Sequence, residues 1–346
     1  MIWNKEKKQK IKKLKLKGSL CRFQNPIIVS ASRSTDIPAF YSDWFINRLK
    51  EGYIKWINPF NGEPHRIYFD KTRLITFWSK NPKPMIEYLD HLDEKGINYY
   101  FQYTLNDYRK EKFEQGVPNL DNRIETFIEL SEKIGKEKVI WRFDPYILTE
   151  TSGVDELLKR TEYIGDKLKD YTDKLVFSFA DIKDYKKVQN NLRRDSVPYM
   201  EFNERTMNEM ATGLMQLNKK WKLEIGTCAE KIDLDKYGIV HNKCIDDDLM
   251  KQLFYKDAIL MAFLGYELKK ADLFDTEEKL VSLKSRNLKD KGQRIACGCI
   301  MSKDIGQYNT CPHECVYCYA NTSVEMAKKN YKRHRENPNS ESIIGE

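Results

Sequence analysis

No apolar run in the chain approaches the ~18–20 residues that a membrane span requires. The first residues, MIWNKEKKQKIKKLKLKG, lack the uncharged apolar core of a signal peptide. There is no Walker loop and no G-x-G-x-x-G, which excludes nucleotide binding of those types. Net charge is scarce outside one segment: the total is +8, but residues 1–18 hold eight lysines against Glu6, so the body is nearly neutral. Cysteine is sparse as well. Of eight in 346 residues, five are scattered through the first three hundred and three crowd into YNTCPHECVYCYAN at 308–321. These absences lead us to expect a soluble cytoplasmic protein, where thiols stay reduced and grouped cysteines mean metal or redox chemistry rather than a disulfide framework.

What is present suits a large core, with 40% hydrophobic and 12% aromatic residues. Short runs rich in β-branched and aromatic residues recur: IIVSAS from Ile27, LITFWSK from Leu74, YYFQYTL from Tyr99, VIWRFDPY from Val139, LVFSFAD from Leu175 and LEIGTCAE from Leu223. Each spacing leaves room for a crossover helix, and helices are expected at 41–50, 122–134, 155–168, 203–219 and 249–264. The runs are apolar almost continuously, as in parallel strands covered on both faces. The expected fold class is α/β, a (β/α) barrel or partial barrel. Residues 1–20 form a basic arm, 21–336 one domain with a hairpin-like insertion at 51–72, and 337–346 a tail. The polar segment 183–200 is expected to cross the barrel mouth.

The carboxyl ends of these runs read SRSTD, WSKNP, TLND, RFDP, FADI and TCAE. In such folds the site is built there. Each rim residue alone has an ordinary reading, as helix cap or turn former; six polar rims in succession point to a site.

Cys311, Cys315 and Cys318, spaced C-x3-C-x2-C, can supply three thiolates to one centre. Three thiolates around a four-iron cluster leave one iron open. A structural zinc ion prefers four ligands, and His313 is available as the fourth in that alternative. In CPHECVYCYA, Tyr317 precedes the last cysteine. The motif resembles the radical S-adenosylmethionine enzymes and, within them, the spore photoproduct lyase group.

That resemblance extends to the rims in rotated order: Thr35-Asp36, then Ser79-Lys80, Thr104, and Arg142 with Pro145, and only afterwards the cysteines. It implies a circularly permuted radical S-adenosylmethionine barrel whose cluster loop has moved to the C-terminus, with 323–335 as its first helix. A 4Fe-4S cluster on Cys311, Cys315 and Cys318 would then cleave S-adenosylmethionine reductively to a 5'-deoxyadenosyl radical that abstracts hydrogen from a substrate. A reductant such as flavodoxin or ferredoxin is implied as partner. By the same pattern Lys80, and next Arg142, hold the cofactor's carboxylate; Thr35, Asp36, Thr104 and Tyr317 line its pocket, and Asp144 joins Arg142 at the catalytic centre. The chain also resembles, over its whole length, an uncharacterised bacterial family pairing SASRSTDIPAFY with a C-terminal CGC and C-x-YCYAN; this supplies no activity.

Cys21 stands alone. Cys228, Cys244, Cys297 and Cys299 make a complete set for a second, auxiliary 4Fe-4S cluster or a closed zinc site, the bland alternative being free buried thiols. The basic arm and KKNYKRHRE at 328–336 are expected either to contact nucleic acid phosphates or to act as a solvated tail, with a peptide or metabolite as the rival substrate.

Overall fold

The computed structural model describes residues 14–16, 19–269, 278–283 and 286–346. Eight strands form one sheet: β1 (Ile28–Ala31), β2 (Leu74–Ser79), β3 (Asn98–Thr104), β4 (Val139–Tyr146), β5 (Lys174–Phe179), β6 (Glu224–Thr227), β7 (Ile239–His241) and β8 (Lys303–Asp304). Its order is β7-β6-β5-β4-β3-β2-β1-β8, with every pair parallel. The fold is mixed α/β, as expected. The sheet is open among the described residues, with β7 and β8 at its edges, so of the expected barrel or partial barrel a closed barrel is not shown. Its last strand lies beside its first.

The continuous apolar runs have a simple cause: strand side chains alternate, and both faces are buried. Val29, Ile75, Phe77, Phe101, Trp141, Phe143, Leu175 and Phe177 point to one face and its large core. Ile28, Leu74, Tyr100, Ile140 and Val176 point to the other, against a smaller cluster that includes Met250, Leu260, Cys244, Cys297 and Cys299. On this second face the same parity brings Ser30, Thr76, Gln102, Arg142 and Ser178, all buried, toward the carboxyl half of the sheet.

The crossover helices are α1 (Ser42–Glu51), α2 (Leu120–Ile134), α3 (Val154–Leu168) and α4 (Glu204–Trp221), followed by α5 (Asp247–Phe254), α6 (Ala258–Leu264) and α7 (Val324–Glu336). Asn119, Asn203 and Ser323 cap α2, α4 and α7 by accepting backbone amides. The single helix expected over 249–264 is instead two. Asp257 caps α6 through the Leu260 amide and binds Arg73 on both carboxylate oxygens, at 2.9 and 3.2 Å, which stops one helix and starts the next.

The insertion is a hairpin, Tyr53–Ile57 with Pro64–Tyr68, and it joins Ser19–Gln24 and Leu14–Leu16 in a separate four-stranded sheet. Residues 337–346 are packed rather than trailing: Ser340, Ser342 and Ile343 are buried, and Trp44 donates to the Ser340 carbonyl at 2.9 Å. Residues 1–13, which carry most of the basic arm, lie outside the described residues.

The α3–α4 contact is close at Gly165, where an added Cβ would lie 2.3 Å from the Trp221 indole. That indole is buried and donates to Asp166 at 2.7 Å, so it has little freedom to yield. Gly165→Ala should therefore cost about 1–3 kcal/mol of overpacking, read as a lower urea midpoint with unchanged far-UV circular dichroism.

Candidate functional site

The cysteine loop leaves the carboxyl end of β8 and enters α7, so it lies at the end of the sheet where β1 to β4 also finish. Open parallel sheets place their sites there. Asn309 and Glu314 turn the loop in the left-handed region, at φ 61° and 57°. A segment after β3 pairs with it along the backbone: Val316 N donates to Phe113 O and Gly116 N to His313 O, both at 2.9 Å. No Cβ fits at Gly116, because it would meet the Pro312 carbonyl oxygen at 2.6 Å.

Two buried carboxylates hold the loop from opposite directions. Asp36 accepts from Ser79 Oγ at 2.7 Å, the Lys80 amide at 2.7 Å and the Ala39 amide at 3.0 Å, and its Oδ2 lies 2.6 Å from His313 Nε2. His313 Nδ1 faces the Gly116 carbonyl at 3.2 Å. Both ring nitrogens thus face oxygen atoms of the protein. The second carboxylate, Glu114, accepts from Lys80 Nζ at 2.7 Å, Asn106 Nδ2 at 3.0 Å and the Tyr317 hydroxyl, and its other oxygen meets Arg123 at 3.3 Å. Burial pushes its pKa up, but Lys80 and Arg123 outweigh that and bring it to about 2.

Burial, with Asp36 and Cys318 nearby, pushes Cys311 up to about 12; burial also raises Cys315, against the opposing pull of Lys80. Their fields act on one another.

Several expected pocket residues have their polar atoms engaged within the protein. Thr35 Oγ1 bonds Thr310 Oγ1 at 2.7 Å and the Gln307 carbonyl at 2.9 Å, so it braces the start of the cysteine loop. Tyr317 OH receives from Lys80 Nζ at 2.9 Å and from Asn106 at 3.0 Å. Thr104 ends β3 opposite Arg142 in register.

Arg142 and Asp144 lead to the other cysteines. Arg142 donates to Asp144, to Gln102 Oε1 at 2.9 Å and to Cys244 Sγ at 3.1 Å. Asp144 also accepts from Ser178 Oγ, and its amide donates to Asn106 Oδ1 at 2.9 Å. Cys228 Sγ lies 3.6 Å from Cys244 Sγ, and Cys299 Sγ accepts from the amides of Cys244 at 3.2 Å and Ile245 at 3.4 Å. Cys297, stabilised as a thiolate by Cys299, titrates near 7. The four cysteines expected from sequence to act together all lie at the core of the second face, although among the described residues no three of their sulfurs come within 4.8 Å of one another.

The segment 183–200 reaches the cysteine loop: Asn191 donates to the Val316 carbonyl at 3.0 Å and Lys187 to the Tyr319 carbonyl at 3.3 Å. Sequence reasoning missed Glu114, Asn106, Gln102 and Arg33. Asn106 sat in the quoted rim TLND, and parity along YYFQYT could have found Gln102; Glu114 lies in an irregular stretch with no signal of its own.

Glu114 generates a pH test. A carboxylate depressed from 4.5 to about 2 contributes its stability fully above pH 4.5 and loses it as pH falls toward 2. Glu114→Gln should flatten that window in a series of urea melts. At neutral pH it should cost about 3–5 kcal/mol, because Lys80 and Arg123 are left as uncompensated buried cations.

The chain belongs to the family described as a domain of unknown function, DUF1848, whose model matches residues 28–320. This agrees with the whole-length resemblance to an uncharacterised family. No curated protein matches the chain. Among solved structures, a Bacteroides thetaiotaomicron VPI-5482 protein described as a candidate alpha-L-fucosidase is similar at 12% identity and a TM-score of 0.25. The match covers 48% of this chain and 65% of that one, and no argument rests on it.

Proposed function

We propose that this member of the DUF1848 family is a radical S-adenosylmethionine enzyme whose cluster is held by Cys311, Cys315 and Cys318. The observation that carries the reading is the donor set. The loop offers three thiols, while the neighbouring candidates for a fourth ligand are engaged within the protein, Asp36 and His313 with each other at 2.6 Å and Glu114 with Lys80 at 2.7 Å. Three thiolates without a fourth protein ligand suit a cluster with one open iron and disfavour a closed zinc site. When bound, such a cluster supplies an electron and a chelating iron for S-adenosylmethionine, from which the 5'-deoxyadenosyl radical arises.

The sheet order supports a permuted partial barrel. A strand, loop and helix (β8, the cysteine loop and α7) stand at the chain's end but beside β1 in the sheet. Rotating the start of a β-α series gives this order, and permutation is tolerated at exposed sites. Lys80, whose charge acts on Cys315, is the residue we assign to the cofactor's carboxylate. Arg142 is not assigned there, since it reaches Cys244 of the other cysteine set.

Anaerobically reconstituted protein with dithionite should convert S-adenosylmethionine to 5'-deoxyadenosine, and Cys318→Ala should abolish this together with the iron of that centre. Protein that takes up zinc alone and cleaves nothing would make it a non-catalytic metal-binding module instead. Lys80→Ala should raise the Kd for S-adenosylmethionine by a loss of about 1.5–3 kcal/mol. The fold should survive, because Glu114 keeps Arg123, Asn106 and Tyr317.

For the substrate, a nucleic acid remains the reading tied to charge, and it now rests on the arm. In the second basic stretch Lys328, Arg333 and Arg335 pair with Glu314, Glu346 and Asp43. Binding of a single-stranded oligonucleotide should weaken with salt, each phosphate contact adding roughly 0.7 to the slope, and should fall when residues 1–18 are deleted. Salt-independent binding, or turnover of a peptide or metabolite alone, would transfer the proposal to that substrate class.

A further inference from the structure

Cys228, Cys244, Cys297 and Cys299 come from three separate stretches of chain: the end of β6, the loop after β7, and the CGC segment before β8. Cys244, Cys297 and Cys299 are at most 8% exposed. Ordinary buried thiols behave as small hydrophobes and need no cations. Here two guanidiniums are spent on them. Arg142, 2% exposed, aims Nη1 at Cys244 Sγ from 3.1 Å, held from behind by Asp144. Arg33, stacked 4.9 Å over Trp78, lies in the field of Asp304 first and then of Cys299 and Cys244, and its buried Nη2 has no hydrogen-bond acceptor. Two backbone amides already donate to Cys299 Sγ, and Asn242 Nδ2 donates to Cys244 Sγ at 3.6 Å. Donors converge on sulfur from every side.

We propose that these four cysteines hold a second, closed metal centre with four thiolate ligands, and that Arg33 and Arg142 are its charge-balancing residues. Four thiolates around a divalent core, whether one zinc ion or a four-iron cluster in its 2+ state, leave two negative charges. Binding releases the thiol protons to solvent, and no electron is transferred. A metal-bound thiolate gives Arg33 Nη2 the acceptor it lacks and supplies the anionic surroundings that buried guanidiniums require. With all four coordination positions taken by protein, the centre leaves no site for a ligand. This inference is independent of what Cys311, Cys315 and Cys318 hold.

The test uses the full chain carrying Cys311→Ala, Cys315→Ala and Cys318→Ala, so that any remaining metal belongs to the second set. Metal and sulfide analysis after anaerobic purification should find one centre per chain, either about four irons with matching sulfide or about one zinc ion; the two arms identify the core. Adding Cys244→Ser should remove it. Arg142→Met should keep the centre but weaken metal retention against a chelator by roughly 10–100-fold, the range for groups that support metal ligands, with Arg142→Lys intermediate. If the triple variant does not fold by circular dichroism, Cys297→Ser in the otherwise native chain should still lower total metal by one centre while 5'-deoxyadenosine formation, where present, tracks only the loop cysteines. Folded protein without metal, metal indifferent to Cys244→Ser and Cys297→Ser, or a Cys228–Cys244 disulfide in anaerobic protein would each overturn the proposal.

Discussion

The contact between Asp36 and His313 is the one on which the site's geometry hangs. A single buried carboxylate takes the hydroxyl and amide at the end of β2, the first turn after β1, and the imidazole in the middle of the cysteine loop. These partners come from sequence positions up to 277 residues apart. With Asp36 filled in this way, Lys80 is left with its ammonium pointing at Glu114 and Tyr317, and the loop is gripped at both His313 and Tyr317. Each grip is a buried hydrogen bond to a carboxylate, where losing one partner costs more than the contact gains. Cys315 lies between the two grips and Cys311 and Cys318 just outside them, so the frame presents all three thiols.

The second consequence concerns the two cysteine sets. From Lys80 the polar contacts run through Glu114 and Tyr317 to Asn106, from Asn106 to Asp144, and through Arg142 to Cys244. Strand parity is the origin of this chain: Gln102, Arg142 and Ser178 share one face of adjacent strands, where alternate positions nearer the amino ends are Tyr100, Ile140 and Val176. A face that changes from apolar to polar along its length buries a core at one end and a charged network at the other. In such a network each hydrogen bond polarises the next, and the buried donors and acceptors along it satisfy one another.

Much of this was legible in the sequence. The six strands and α1 to α4 follow from apolar runs and their spacing, which act locally; the hairpin at 51–72 follows from the irregularity of that stretch, and the helix after the cysteines from the resemblance. The grouping of Cys228, Cys244, Cys297 and Cys299 followed from counting thiols. What could not be read depends on distant contacts. Asp257 divides a helical pattern because Arg73, far away in sequence, engages it. Glu114 becomes central only because Lys80, Arg123 and Tyr317 converge on it. Whether the sheet closes is likewise set by pairing at its edges, and the two-residue strand Lys303–Asp304 has no hydrophobic pattern to announce itself.

That short strand poses a mechanical problem which the C-terminus answers. Two residues of parallel pairing, Lys303 with Val29 and Asp304 with Ser30, are too few to fix a loop of functional precision. Asp304 adds side-chain bonds to Ser30 Oγ at 2.8 Å and the Arg33 amide at 2.9 Å. Beyond the loop, α7 packs Tyr331 against Phe40 and Tyr41, with ring centroids 5.6 Å apart in both pairs. The last residues then lock the helix in place: Arg333 donates to the Ile344 carbonyl at 2.7 Å, Trp44 to Ser340, and the Lys55 amide to the Glu341 carbonyl at 2.8 Å. The terminal segment therefore belongs to the site's scaffold. It ties α7 to α1 and to the inserted hairpin, and so holds the far end of the cysteine loop as firmly as β8 and Asp304 hold the near one.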